Sequence, residues 1–185
     1  MAQPPFPGCV VWFTGLPGSG KTTIARILQT DLVKRGRKVE LLDGDEVRTW
    51  LSPNEGFSRE DTERHLKRVA HICQLLGRNG IMVLASFVSP YRSTRDYACN
   101  TIENFVEVHV KCSLETCVSR DPKGLYRKAA VGEIGNMTGT QDPYEEPPSP
   151  EIVLETEKTT PSKEPERSSL RSYRGATCDR REGLV

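Results

Sequence analysis

Residues 9–23 read Cys9-Val10-Val11-Trp12-Phe13-Thr14-Gly15-Leu16-Pro17-Gly18-Ser19-Gly20-Lys21-Thr22-Thr23. Val10 to Phe13 is an apolar run of β-branched and aromatic residues, the pattern of a buried strand. Gly15 to Thr22 match G-x-x-x-x-G-K-[ST] at every fixed position. Ile24, Ile27, Leu28 and Leu32 then recur at helical spacing. A glycine-rich turn between a strand and a helix is the context that makes this motif a phosphate-binding loop. Gly15, Gly18 and Gly20 lack a Cβ, so the chain can take positive φ and bring bare N–H groups close to phosphate oxygens. The helix beginning near Lys21 aims its dipole and its unpaired N–H groups at the anion. Lys21 is spaced to reach the β- and γ-phosphates, and the Thr22 hydroxyl to ligate Mg²⁺, with Thr23 beside them. The motif predicts binding of a nucleoside triphosphate. It leaves the acceptor open and does not separate a kinase from an ATPase or GTPase.

A chain of 185 residues fits one domain with a sizeable core. Twenty-six basic against 25 acidic side chains leave a net charge of +1, which gives no bulk argument for nucleic acid or a membrane surface as partner. No stretch approaches the apolar length of a membrane span. Met1 to Gly8 carries three prolines and no basic-plus-apolar leader pattern, so a cytoplasmic location is expected, with residues 1–8 as an extension. Cys9, Cys73, Cys99, Cys112, Cys117 and Cys178 show neither C-x-x-C nor His-linked spacing. Reduced, mostly buried thiols are expected from that pattern.

Onward from the loop, Arg35-Gly36-Arg37 closes the first helix. Lys38 to Leu42 reads as a second strand running into Asp43-Gly44-Asp45. In an open α/β sheet, ligands bind beyond the carboxyl ends of strands, so Asp43 and Asp45 fall beside the phosphates. Asp43 there can hold Mg²⁺ or take a proton from an attacking hydroxyl; Asp45 serves equally well as the N-cap of a short helix carrying Val47 and Trp50. Ser58 with Asp61 resembles a capping box that starts a helix to about Asn79. Leu66, Val69, Ala70, Cys73 and Leu76 form its core stripe. Its opposite face carries Arg59, Arg64, His65, Lys67 and Arg68, which reads as a solvated face or as an anion pocket. Ile81 to Val88 is a strongly apolar strand ending in Ser89-Pro90-Tyr91-Arg92. Ser89 precedes a proline and is expected in extended geometry. A helix near 93–103, a strand over 105–112 and a Ser113-capped helix over 114–120 follow. Residues 121–150 hold four glycines and five prolines and read as a lid over the phosphates. A brief strand covers 151–154. Residues 156–185, poor in apolar side chains, are expected to be disordered, which leaves 9–155 as the domain. No internal repeat is present.

Taken together, these stretches resemble the adenylylsulfate kinase family, which makes PAPS in sulfate activation. The matching segments are Trp12 to Thr22, Leu42-Asp43-Gly44-Asp45-Glu46-Val47-Arg48, Gly56-Phe57-Ser58, and Phe87 to Arg92. Arg120-Asp121-Pro122-Lys123-Gly124-Leu125-Tyr126, the most specific, runs on through Gly132-Glu133-Ile134, Thr138-Gly139 and Pro143-Tyr144-Glu145. Five matches in one order cover about residues 10–155. The resemblance implies ATP with Mg²⁺ on Gly15 to Thr23 and adenylylsulfate held by Asp43, Arg48 and Phe57, with Phe57 against its adenine. The backbone of Val88, Ser89 and Pro90 lines the same site, and His65 stands at an acceptor-contacting position. Ser89 matches the position that the family marks as a phosphoserine intermediate, although nothing adjacent in the sequence would activate its hydroxyl. Arg120 falls on the adenine of ATP and Lys123 on phosphate or sulfate charge. A homodimer is implied, and association with an ATP sulfurylase is allowed.

Four positions depart from the family pattern. Thr62 stands where an Arg is usual, His65 where an Asn, Met137 where an aromatic residue, and Ala130 where an Arg. Methionine keeps apolar contact with a base but stacks less well, and a lost Arg removes a bidentate anion contact. The expected fold is a P-loop kinase-like three-layer α/β/α sandwich with a parallel sheet of about five strands. The expected reaction is transfer of the γ-phosphoryl group of ATP to the 3′-hydroxyl of adenylylsulfate, with Lys21, Asp43 and Ser89 as candidate catalytic residues. Two other readings stay open: a kinase of another small anionic nucleotide, such as a cytidine diphosphate derivative, and a weakly catalytic nucleotide-binding regulator.

Overall fold

A computed structural model describes residues 8–157. The fold is organised by β1 (Val10–Thr14), which is buried along its whole length. Alternate side chains enter opposite layers, as the strand period requires. Val10 and Trp12 pack with Leu66, Val69 and Cys73 in one core, and Val11 and Phe13 pack with Ala25 and Leu28 in the other. A strand covered on both faces needs an unbroken apolar run rather than alternation, which is why Val10 to Phe13 carries no polar residue.

The remaining elements are α1 (Lys21–Lys34), β2 (Val39–Asp43), α2 (Gly44–Leu51), α3 (Arg59–Arg78), β3 (Met82–Ser86), α4 (Arg92–Thr101), β4 (Phe105–Lys111), α5 (Leu114–Arg120), α6 (Leu125–Ala130) and β5 (Ile152–Glu155). The sheet runs β2-β3-β1-β4-β5, and every pairing is parallel. The expected five-stranded parallel sheet between helical layers is therefore present. β1 lies between β3 and β4, so the chain leaves its carboxyl end at the point where strand order reverses, and there the sheet opens a crevice. Register brings the other strand ends to the same edge: Ser86 pairs with Phe13 on one side and with Asp43 on the other.

The caps follow the sequence with one correction. Ser58 accepts from Asp61 N at 3.2 Å and Ser113 from Thr116 N at 3.3 Å. The N-cap of α2 is Asp43, whose Oδ1 accepts from Asp45 N at 3.1 Å, so the capping alternative considered for Asp45 belongs to Asp43. Segment 121–150 contains a helix that its Gly- and Pro-rich composition hides. Both oxygens of Asp121 accept from the first turn of α6, from Tyr126 N and Arg127 N, and Tyr126, Ala129 and Met137 bury against Cys112 and Cys117. Cys9, Cys73, Cys112 and Cys117 are free thiols. Cys99, fully buried on α4, departs from the expected reduced state: it is disulfide-bonded. No helix among the described residues is long and apolar enough to cross a membrane. The disorder expected for the C-terminal tail falls almost wholly on residues outside those described.

Candidate active site

The loop between β1 and α1 closes around the amine of Lys21. Lys21 Nζ donates to Gly15 O at 2.9 Å and to Leu16 O at 2.8 Å, and the residue is buried. Burial of the ammonium lowers its pKa to about 7, opposed by neighbouring Cys117 and Asp43 and assisted by Lys123. Gly18 has φ +79°, and a Cβ there would meet Cys117 O at 3.1 Å; at Gly15 it would meet Val110 O at 2.5 Å. The two glycines thus allow backbone contact from opposite sides of the loop. Gly18, Gly20, Lys21, Thr22, Thr23 and Pro17 line a cavity of about 640 Å³. Gly15, Leu16 and Ser19 do not line it. Ser19 is fully buried, and Leu16 packs against Gly139 and the Cys112 cluster.

At the strand ends, Thr22 Oγ1 donates to Asp43 Oδ2 at 2.7 Å and lies 3.3 Å from Ser86 Oγ. These three groups supply two hydroxyls and one carboxylate, all hard oxygens, with no sulfur or imidazole among them. Mg²⁺ favours oxygen donors and usually takes one or two carboxylates while keeping several waters. The residues present fit that ion, with Thr22 and Asp43 as the groups to hold it.

Across the cavity stand Arg48, Phe57, His65 and segment 88–91. Arg48 Nη1 donates to Gly56 O at 2.7 Å, and its guanidinium sits 4.6 Å from the centre of the Phe57 ring. Burial lowers the Arg48 pKa, while Glu55 and Asp61 raise it. Phe57 itself is 60% exposed, a planar face offered to the cavity mouth. His65 corrects the helix-face reading: it is buried, not solvated. Its Nδ1 lies 2.9 Å from Ser52 Oγ, and its ring packs 6.0 Å from that of Phe87. Burial, with Arg48 and Arg68 nearby, lowers its pKa to about 4 against the pull of Glu55. The basic residues of the same helix are paired outside the cavity. Arg64 and Arg68 both meet Glu55, Arg59 meets Glu63, and Lys67 lies over Tyr97; none of the four lines the cavity.

Ser89 departs from the extended geometry expected before a proline, with φ +39°. Its Oγ accepts from Trp12 Nε1 at 3.0 Å and its carbonyl from Arg95 Nη1 at 2.6 Å. Thr14 Oγ1 donates to Val88 O at 2.9 Å. At the other edge of the cavity, Arg120 Nη2 donates to Thr156 O at 2.7 Å, and Thr156 Oγ1 donates to Ser19 O at 2.9 Å. That chain ties Arg120 to the phosphate loop. Tyr126 OH donates to Pro17 O at 2.9 Å. Lys123 pairs with Asp45 across the cavity mouth.

The cavity therefore brings together Lys21, Thr22, Asp43, Arg48, Phe57, His65, Val88, Ser89, Pro90, Arg120 and Lys123, all named from sequence. Sequence reasoning missed Trp12, Ser86, Arg95, Tyr126 and Thr156. Tyr126 carried a signal, since it closes the Asp-Pro-Lys-Gly-Leu-Tyr segment. Arg95 carried none, looking like any charge on a polar helix.

A phosphate loop on β1, a carboxylate at the end of β2 and Arg48, Phe57 and segment 88–91 lining the same cavity define a P-loop phosphotransferase. The adenylylsulphate kinase family model matches residues 7–155. A probable adenylyl-sulfate kinase of Aeropyrum pernix is 55% identical over 157 residues, covering 83% of this chain and 86% of that one. A probable bifunctional SAT/APS kinase of Sorangium cellulosum is 48% identical over 153 residues, 83% of this chain but 26% of its own. The solved APS kinase CysC of Mycobacterium tuberculosis, in complex with AMPPNP and APS, superposes with a TM-score of 0.80 at 39% identity, covering 84% of this chain and 92% of that one. The chain belongs to the adenylylsulfate kinase family.

Proposed function

We propose that this chain transfers the γ-phosphoryl group of ATP to the 3′-hydroxyl of adenylylsulfate, giving PAPS. The observation that carries the reading is that the phosphate loop and Arg48 with Phe57 line one and the same cavity, in a member of this family. Donor and acceptor can then meet in line without a second site.

Lys21 Nζ binds phosphate oxygens in place of the Gly15 and Leu16 carbonyls and neutralises charge that develops on the transferred group. Thr22 and Asp43 would hold Mg²⁺, which would supply neutralisation of phosphate charge. Asp43 orients the acceptor hydroxyl and takes its proton. Arg48 meets the acceptor's anionic group, and Phe57 stacks on its base. His65, neutral near pH 7, adds a ring nitrogen to the acceptor wall. Arg120 holds the donor adenine. Lys123 moves from Asp45 to phosphate or sulfate as the part of segment 121–150 that carries it closes over the cavity as a lid, excluding water. Most of the acceleration comes from alignment and charge neutralisation rather than covalent chemistry. Ser89 supports this direct route, because its hydroxyl is buried against the Trp12 indole rather than beside a base.

The proposal includes the cytoplasm as location and a homodimer as assembly, both expected from the sequence and its resemblance. The bifunctional relative supports association with an ATP sulfurylase. The test is an acceptor panel with γ-labelled ATP, including adenylylsulfate and cytidine diphosphate derivatives. Label in the 3′-phosphate of PAPS is expected; efficient labelling of a different acceptor, or tight ATP binding with no turnover, would reject the reading.

A further inference from the structure

Arg95, on α4, is fully buried, does not line the cavity, and contacts three separate parts of the chain. Nε pairs with Glu107 Oε1 at 2.9 Å, within β4; both side chains are 0% exposed. Nη1 donates to Ser89 O at 2.6 Å and Nη2 to Glu145 O at 2.5 Å. A guanidinium can do this because its donors point in a fixed planar fork, which a lysine lacks. The anchor is itself held, since Glu107 N donates to Glu151 Oε2 at 2.6 Å.

The two carbonyls belong to segments that already touch. Glu145 N donates to Pro90 O at 2.9 Å, Glu145 Oε2 accepts from Arg92 N at 2.7 Å, and Tyr144 OH lies 2.9 Å from Thr14 Oγ1. Segment 88–91 is a wall of the cavity, and segment 143–145 follows the part of the chain that carries Lys123, Tyr126 and Met137. Ser89 adopts φ +39° although it has a side chain. Such backbone persists only where its surroundings over-determine it, and it clusters at ligand clamps. Arg95 and Trp12 provide that over-determination from the side away from the cavity.

We propose that Arg95 is a positioning residue for phosphoryl transfer. Anchored on Glu107, it fixes the Ser89 peptide, and hence the acceptor wall, and ties that wall to Glu145 so that acceptor binding and closure of residues 121–142 are set together. The inference rests on the kinase reading above.

The discriminating variant is the double replacement Arg95→Met with Glu107→Leu. Removing one partner of a buried pair leaves an uncompensated charge and destabilises, whereas replacing both by apolar residues of similar size is often neutral. The double variant is therefore expected to stay folded, with a melting temperature lowered only by the lost bonds to the Ser89 and Glu145 carbonyls, and to keep its affinity for an ATP analogue. Its KM for adenylylsulfate should rise about tenfold or more, with kcat reduced and the KM for ATP unchanged. Arg95→Lys, which keeps a cation for Glu107 but not the fork, should show the same acceptor-specific KM effect, and it serves if the double variant fails to fold. Folded variants with wild-type KM for adenylylsulfate and wild-type kcat would overturn the inference, as would equal losses for ATP and acceptor. Failure of the unmutated protein to phosphorylate adenylylsulfate would instead overturn the kinase reading, and this inference with it.

Discussion

Lys21→Met should abolish phosphoryl transfer while making the ligand-free protein more stable. The ammonium has two backbone carbonyls as its close partners, and burial brings its pKa from 10.5 to about 7. At about 1.4 kcal/mol per pKa unit, that drop corresponds to roughly 5 kcal/mol against the charged form. The two hydrogen bonds lost in the variant are worth about 1 kcal/mol each, which leaves a net gain of roughly 3 kcal/mol. The folded pKa lies below the unfolded one, so the unfolded chain binds more protons between about pH 7 and 10.5. The penalty is thus full below pH 7 and fades as pH rises through that window. Thermal unfolding at pH 6.5 should show the variant melting roughly 6–12 °C higher, at about 2–4 °C per kcal/mol for a chain of this size. The gap should narrow by pH 9.5. Calorimetry should also show proton uptake when the wild type binds an ATP analogue at pH 8, with less uptake in the variant. A variant that melts below the wild type at pH 6.5, or that turns over at a comparable rate, would refute the reasoning.

Asp43→Asn can keep the cap on α2 but loses the carboxylate, so kcat should fall by about 10²–10⁴ with circular dichroism unchanged. Phe57→Ala should raise the KM for adenylylsulfate and leave both the KM for ATP and the melting temperature nearly unchanged, because the ring is 60% exposed. Burial lowers the His65 pKa to about 4, so its contribution to stability is complete above about pH 6.5 and is lost as pH falls toward 4; it amounts to at most about 3 kcal/mol. His65→Asn should flatten acid unfolding in that window, and an unchanged acid limb would count against a neutral buried imidazole. Ser89→Ala should lose on the order of tenfold in activity, about 1.4 kcal/mol, through altered positioning. Rapid-quench labelling that finds a phosphoprotein forming and decaying at the turnover rate, with a dead variant, would sink direct transfer.

The phosphate loop was legible because every signal for it is local: an apolar run, glycines at fixed offsets and a helical repeat all fall between Val10 and Leu32. Asp43 was legible for a related reason, since a strand that runs into Asp-Gly-Asp must place a carboxylate at its own carboxyl end. His65 was misplaced because helix periodicity assigns faces by averaging. Next to Arg64 and Lys67 it reads as polar surface, whereas Ser52 and Phe87, brought in from outside the helix, make its side of α3 an interior. Helix α6 was hidden because its stability is tertiary. Its first turn is capped by Asp121, and Tyr126 reaches back over a hundred positions to Pro17.

Ser89 sits against its own local preference. Local rules place a residue before proline in extended geometry, yet Ser89 has φ +39°. Each group that bonds it comes from elsewhere in the chain: the indole from β1, the guanidinium from α4, and behind that a carboxylate within β4. A hydrophobic-strand reading of 105–112 gives no reason for Glu107 to be fully buried, and a helix reading of 93–103 gives none for Arg95. Only together do they make sense, because a carboxylate in a strand interior needs a cation, and that cation has two further nitrogens whose donors must be satisfied. The place where local propensity fails is thus the place where β1, α4 and β4 converge on the cavity wall at Ser89, as expected where a site's geometry is held against the chain's own preference.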